Sequence, residues 1–412
     1  MKGMFNRLPS FSPDYCGASG VFYEMDGLTI MCDPGPCTAT ILASDEPRLD
    51  LSRSFHSMHI TERQAVFGMD QELLEKAGMV LEEHDLKLVV LLGTPIAATL
   101  AVDYKGLAGQ LSRKYGIPGF GINTSSIHTY DVGEEKAFDA LADYAESVGT
   151  KAAKAELAKI EKPVDVNVLG ATPLNMWDVN QVNDVIDLVK AAGAENVSVW
   201  GRNGKLPEIS KAGTAKVNLV VSASALLAAR KLQKVFGTPY LVGFPIGEKA
   251  TKYWKESLSK ILKTGEITAS FANQIEKETS TEKGKDARKN LRALIVGEQV
   301  SACAIRDCLR AESDYQDVQV GSFFMMDEEI MEEGDRHFAD EDDFVEMTTQ
   351  KGAYDLVICE PLMYPLIPYK PEHTMPWPHT AVSGRIYMNR GANIFGEKGS
   401  AYIREKLGES NA

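Results

Sequence analysis

Residues 111–124 read LSRKYGIPGFGINT and residues 232–245 read LQKVFGTPYLVGFP, the same device written twice. In each copy a helical run stops at a glycine, Gly116 or Gly237, that tolerates a left-handed backbone, and a proline two residues later bars the helix from continuing. An apolar run follows at once, so each copy is a helix handing over to a strand. Other short apolar runs end in a small or polar residue and lead into a helical pattern: Leu88–Leu92 before Gly93, Val164–Leu169 before Gly170, Val217–Val221 before Ser222, Ala293–Val296 before Gly297 and Asp355–Cys359 before Glu360. Strands joined through helices pair in parallel, because parallel neighbours need a crossover. The expected fold is α/β with parallel sheets.

A chain of 412 residues exceeds one ordinary core. Composition shifts divide it: an Ala-, Lys- and Glu-rich stretch over 137–162, and a polar stretch over 276–289 (EKETSTEKGKDARK). Three Rossmann-like domains follow as the expectation, 1–162, 163–289 and 290–412. The Pro- and aromatic-rich stretch after Glu360 is expected to wrap over a cleft instead of extending a sheet. Acidic residues over 327–346 read as a solvated face in preference to a cation site.

The charge balance, 44 basic against 58 acidic residues for a net of −14, repels nucleic acid and anionic membrane. No run approaches the roughly 18 to 20 apolar residues of a membrane span, and the first residues lack a signal-peptide core. The expectation is a cytoplasmic protein. Six cysteines in such a compartment are not a disulfide framework.

Three of those cysteines, Cys16, Cys32 and Cys37, fall in the first 40 residues. Cys16 precedes a small-residue run, and Cys37 ends the turn Pro34-Gly35-Pro36 after an expected strand over Leu28–Met31. Gly17, Gly20 and Gly35 allow backbone amides to approach sulfur closely, as a cluster site requires. The spacing is neither CxxC nor a ferredoxin pattern, and free buried thiols fit it as well. Cys303 and Cys308, about 140° apart on one helix, and Cys359 at a strand end read as core residues.

The order of features nevertheless resembles the nitrogenase component 1 type oxidoreductase superfamily. Cys16-Gly17-Ala18-Ser19-Gly20 is similar to the family's first cluster cysteine with its small residues, and Cys32-Asp33-Pro34-Gly35-Pro36-Cys37 to its later cysteine turn, with Cys37 in the ligand place. Ile60–Gly68, Thr94-Pro95, the helix containing Asp103 and Gly116-Ile117-Pro118 continue the pattern. The resemblance implies an Fe–S cluster, [4Fe–4S] or larger, held by Cys16 and Cys37 with Cys32 as a possible extra ligand, and with Gly17 and Gly35 beside it. It implies a two-component reductase in which a separate ATP-dependent P-loop iron protein supplies electrons. This chain has no phosphate loop of its own: Gly247-Glu248-Lys249 and Gly396-Glu397-Lys398-Gly399 lack the spacing. The other readings are a non-catalytic metallocluster scaffold and a cluster-free small-molecule-binding protein. Two departures from the family pattern are Thr94, where a third cluster cysteine is common, and Ser222, near the place of the cysteine that carries the large cofactor in nitrogenases. The first leaves two readings, Cys32 as a compensating ligand or a simpler cubane bridging two subunits that each give two cysteines, in a homodimer or a heterodimer with a paralogous subunit; the second counts against a nitrogen-fixing cofactor.

Candidate proton donors are His56, beside His59 and between Arg53 and Arg63, and the loop His373-Thr374-Met375-Pro376-Trp377-Pro378-His379, whose two histidines and aromatic wall, with Arg385, suit a substrate pocket. Asn175 and Trp177 form a weaker version of the same idea.

Overall fold

In the computed structural model of the chain, Gly116 and Gly237 adopt φ of 69° and 75° and close the helices that end at Tyr115 and Phe236. The carbonyls of Pro118 and Pro239 then accept from Val89 and Asn218 of the neighbouring strands, so each device starts a sheet ladder. The structure describes residues 5–48, 55–151, 162–176, 181–265, 291–349, 354–371, 373–387 and 394–408.

Three sheets follow one another along the chain. The first contains β1 (Leu28–Met31), β2 (Phe55–Ser57), β3 (Val89–Leu92) and β4 (Gly119–Ile122) in the order β2-β1-β3-β4. The second contains β5 (Val166–Ala171), β6 (Val197–Gly201), β7 (Val217–Val220) and β8 (Tyr240–Val242) in the order β6-β5-β7-β8. The third contains β9 (Leu291–Val296), β10 (Tyr315–Ser322), β11 (Arg336–His337), β12 (Leu356–Cys359) and β13 (His373–Pro376) in the order β11-β10-β9-β12-β13. Every pairing between these strands is parallel. The division expected after residue 162 falls between the first and second sheets; the one after 289 lies outside the described residues.

The stretch after Glu360 corrects the expectation that it wraps over a cleft. His373–Pro376 extends the sheet, pairing with Leu356–Cys359. An edge place next to β12 suits Pro376, which has no N–H to give to a further ladder. The segment beyond returns to the loop that follows β8, where Gly247 N–H donates to Gly396 O.

Helix α1 (Asp14–Phe22) crosses the long helix α7 (Tyr130–Lys151) at van der Waals distance. Glycines on both sides make this possible: a Cβ on Gly17 would lie 1.9 Å from the Tyr130 carbonyl oxygen, and one on Gly133 would lie 1.7 Å from that of Asp14. One buried core runs through all three sheets along this crossing. A second core lies on the other face of the first sheet, beneath α4 (Asp70–Glu83) and α6 (Tyr104–Tyr115), and takes Leu28, Ile30 and Cys32 from the β1 strand and its end.

The acidic stretch is ion-paired rather than merely solvated. Asp327 pairs with Arg230, Asp335 with Arg306, and Asp343 with Arg336. Glu341 instead accepts the backbone N–H groups of Asn6, Arg7 and Leu8 and so pins the N-terminal strap that leads into α1.

Candidate functional site

Parallel strands aim their C-terminal ends at one edge, where ligands gather in open α/β sheets. At that edge of the first sheet, the loop after β1 turns through Gly35, at φ 121°, into the short helix α2 (Pro36–Thr40) and presents Cys37 half-exposed. Asp33 fixes the turn. Its carboxylate accepts from Thr38 N–H at 2.9 Å and from the Ser57 hydroxyl, and its carbonyl accepts from Ile60 N–H at 2.8 Å. A Cβ on Gly35 would press to 3.2 Å from the His59 ring, so the glycine serves both the backbone angle and the fit.

Cys16 reaches the same edge from the first turn of α1, almost wholly buried. Burial pushes its thiol well up, and the Asp45 carboxylate that accepts its S–H, together with Asp14 and Cys37 nearby, adds to the effect. The Cys37 thiol is raised by burial and by Asp33, against a lowering hydrogen bond from the Tyr15 hydroxyl. Without a cation both side chains are therefore thiols, and a metal held here must displace two protons. Asp45 ends a π-helical turn over Ile41–Asp45, which Arg385 braces by donating to the carbonyls of Leu42 and Glu46. Arg385 thus belongs to the cysteine edge and not to the His379 loop.

Cys32 lies elsewhere. It is fully buried on the other face of the first sheet, its thiol raised by burial, then by Asp33 and Asp70, and it neighbours Tyr104. Thr94 is buried as well and donates its hydroxyl to the Cys32 carbonyl at 2.6 Å, which locks the C-terminal ends of β1 and β3 together. The room beside Gly17 is filled by α7. Among the described residues, no group of three or more His, Cys, Asp and Glu is arranged to hold a metal ion, so the cysteine edge offers two thiols from one chain.

Of the histidines, His56 sits on β2, half-buried, with its Nε2 lacking a partner among the described residues. His379 caps the helix Thr380–Ser383: Ala381 N–H donates to its Nδ1 at 3.2 Å, which leaves the ring hydrogen on Nε2, 3.4 Å from the Tyr130 hydroxyl. Burial holds its pKa down at about 3, so the ring is neutral. His373 pairs through its backbone with Leu356 in β13. Trp177 and Arg53 lie outside the described residues.

His379 belongs to a second centre that the sequence did not disclose, where the strand ends of the second and third sheets meet α7. Glu134 of α7 is fully buried and hydrogen-bonds to the Thr172 hydroxyl, to Asn175 Nδ2 at 2.7 Å and to the Ser224 hydroxyl at 2.8 Å. Tyr130 donates to Asn175 Oδ1 at 2.8 Å. Glu298 accepts from the N–H groups of Ala223 and Ser301, and Glu360 from the N–H of His379 and the Ser383 hydroxyl. Burial raises Glu134 to about 8 and Glu360 to about 7. Asn175, Gln181, Trp377 and His379 border a cavity of only about 10 Å³ here. A roomier groove, about 730 Å³, runs along β4 between α6 and α7 and has neither cysteine nor histidine in its lining. The YDVGEE opening of α7 was the available signal for the second centre, but nothing in it says which carboxylate turns inward.

Residues 14–360 match the family model described as nitrogenase component 1 type oxidoreductase. A nitrogenase iron-molybdenum cofactor biosynthesis protein NifE from Rhodobacter capsulatus is 24% identical over 258 residues, 61% of this chain and 51% of that protein. One subunit of a light-independent protochlorophyllide reductase from Porphyra purpurea is 22% identical over 314 residues, 73% of this chain and 61% of that protein. The chain thus spans 51% to 61% of the length of these two relatives. The solved structure "Nitrogenase Cp1 at pH 6.5" superposes with a TM-score of 0.65 at 15% identity, covering 99% of this chain and 93% of that one. Among the described residues no helix is long and apolar enough to cross a membrane.

Proposed function

The chain belongs to the nitrogenase component 1 type oxidoreductases, and on that premise we propose that it is the catalytic component of a two-component, ATP-dependent reductase. In this reading a P-loop iron protein delivers electrons to an Fe–S cluster held by Cys16 and Cys37, for use on a small substrate. The observation that carries it is the meeting of these two cysteines at one sheet edge, one sealed by α1 and the other open to a neighbour.

The donor set fits a shared cluster. Two thiols per chain complete four when two chains face each other, the thiolate count of a cubane, and Thr94 is engaged with the Cys32 carbonyl. Val66 and Phe67 of α3 (Glu62–Phe67), Ile96 of α5 (Pro95–Thr99) and Ile127 after β4 are exposed on segments leaving the C-terminal ends of β2, β3 and β4, the same edge that carries Cys37. Apolar side chains around a half-open ligand suit burial against a second subunit. When bound, the cluster would supply one-electron storage. The protein's own part is done by Asp33, which holds the Cys37 turn, by Tyr15, which donates to the Cys37 sulfur, and by Asp45, which accepts the S–H of Cys16 in the unloaded protein and is the nearest base for the proton that Cys16 must give up. His56 and His373 are the proposed proton donors; His379, expected among them, is neutral and held between Ala381 N–H and the Tyr130 hydroxyl, and with Asn175 and Trp377 it borders the inner cavity.

A second reading is favoured by the Rhodobacter relative, whose name is that of a cofactor biosynthesis protein: a scaffold that carries a metallocluster without turning over substrate. Anaerobic purification with iron and sulfide analysis and EPR after reduction tests both. Iron in the parent protein and its loss in Cys16→Ala and Cys37→Ala support the ligand pair; iron-free parent protein overturns both readings. Turnover with an added iron protein divides reductase from scaffold.

A further inference from the structure

Glu134 is out of place by ordinary rules. A carboxyl group with no exposed surface should be paired with a cation or else be neutral. Among the described residues no cation faces it. From α7 come Tyr130 and Asp131; from the second sheet, Thr172, Asn175, Ser222 and Ser224; from the third, Glu298 and, through Tyr130, His379, whose ring is neutral; from α1, the backbone at Gly17. The charged groups among these, Asp131 and Glu298, are both acidic and both buried.

Burial and the two acidic neighbours favour the neutral acid against three hydrogen bonds that favour the anion, and the hydrogen-bond pattern has a place for the proton. One oxygen, Oε2, already receives two donors, Asn175 Nδ2–H and Ser224 O–H, while Oε1 faces a single hydroxyl, that of Thr172, which can accept as readily as donate. With a proton on Oε1, Thr172 becomes the acceptor of that contact and the two donors on Oε2 keep their places, so the neutral acid keeps all three links; the ionised form would be a buried charge that no cation among the described residues balances. We propose that Glu134 is a neutral carboxylic acid that latches α7 to the strand ends of the second sheet, and that loss of its proton releases the 170–176 loop, which lines the inner cavity, together with the 222–226 turn.

The linkage has a definite sign. A carboxyl group raised from an ordinary 4.5 to about 8 keeps its proton in the folded protein when the unfolded chain has lost it. Its contribution to stability is complete below pH 4.5 and is lost as pH rises through 8. A glutamine reproduces the neutral acid, with its carbonyl in the Oε2 place and its N–H toward Thr172, and has no proton to lose. Glu134→Gln should therefore melt above the parent at pH 7, by a margin that widens from pH 5 to pH 8 and is constant beyond. A residue retained at such a cost to stability is a candidate for function.

The test compares the parent chain with E134Q by infrared spectroscopy, thermal unfolding and amide hydrogen exchange between pH 5 and 9.5. The infrared difference isolates Glu134 from Glu298 and Glu360. The expected result is a protonated-carboxyl stretch at pH 7 that is absent from E134Q and titrates away near pH 8, with exchange protection at 170–176 and 222–226, corrected for the intrinsic rate at each pH, falling above pH 8 in the parent alone. No such band in the parent, a lower melting point for E134Q at pH 7, or an equal fall of protection in both proteins overturns the proposal. None of these readouts needs a cluster.

Discussion

The cysteine edge of the first sheet and the carboxyl junction behind it are built in opposite ways. The edge is shaped by backbone: a positive-φ glycine, a proline, and one aspartate that collects the loop through Thr38, Ser57 and Ile60. It leaves Cys37 half open. The junction is shaped by side chains drawn from five separate stretches of sequence, 130–134, 172–175, 222–224, 298–301 and 360–383, and it leaves room for little more than one water. An open edge can be completed by another molecule, whereas a closed junction can respond only by changing protonation or by coming apart.

The largest effect that could break this comparison is at the edge. Replacing Cys16 or Cys37 by alanine should abolish iron binding by anaerobically purified protein, measured per folded chain, because a shared site with one thiol missing from each subunit loses half its sulfur ligands. Retention of a full cluster in both variants would move the site elsewhere.

Next in size is the junction's response to acid. His379 is held neutral in the fold, at about 3 against an ordinary 6.5, so the unfolded chain takes up a proton that the folded chain refuses. The stability it contributes is present above pH 6.5 and is lost as pH falls toward 3, at about 1.4 kcal/mol for each pH unit of that window. Denaturant titrations from pH 4 to 7 should show a steeper acid loss in the parent than in His379→Gln. Parallel curves would mean that the ring is already charged in the fold.

The same contrast governs what could be read from the sequence. The α/β class, the parallel pairing and the places of Gly116 and Gly237 were legible because each rests on a local signal, a helix stop before an apolar run, whereas Cys16 and Cys37 were singled out by the resemblance to the family, their spacing fitting free buried thiols as well. The junction was not, since Glu134, Thr172, Ser224 and His379 become neighbours only once three sheets pack, and a glutamate in YDVGEE looks like any exposed helix residue. Gly17 was legible as a place of close approach, but not for its partner: α7 takes up the space that was assigned to a cluster. β13 was hidden by Pro376, which discourages a strand reading except at an edge.

Gly17→Ala sharpens that point. A methyl group 1.9 Å from the Tyr130 carbonyl must push α1 away from α7, a strain worth about 1–3 kcal/mol. Thermal unfolding should show that loss, while iron per folded chain stays at the parent level. Loss of iron from fully folded protein would instead tie Gly17 to the cluster.

The smallest expected effect belongs to Cys32, and it separates the two faces of the first sheet. The β1 strand turns successive side chains to opposite sides, so Leu28, Ile30 and Cys32 enter the core under α4 and α6 while Met31 faces the core that holds Cys16. Its carbonyl is tied to Thr94 and its N–H to Leu92, which leaves the chain no freedom to swing the thiol around the strand. Cys32→Ala should then bind iron as the parent does, with an unchanged EPR signal and a stability loss of roughly 1 kcal/mol, the scale for removing one small buried group. A shifted EPR signal in that variant would require β1 to rearrange on binding its cluster.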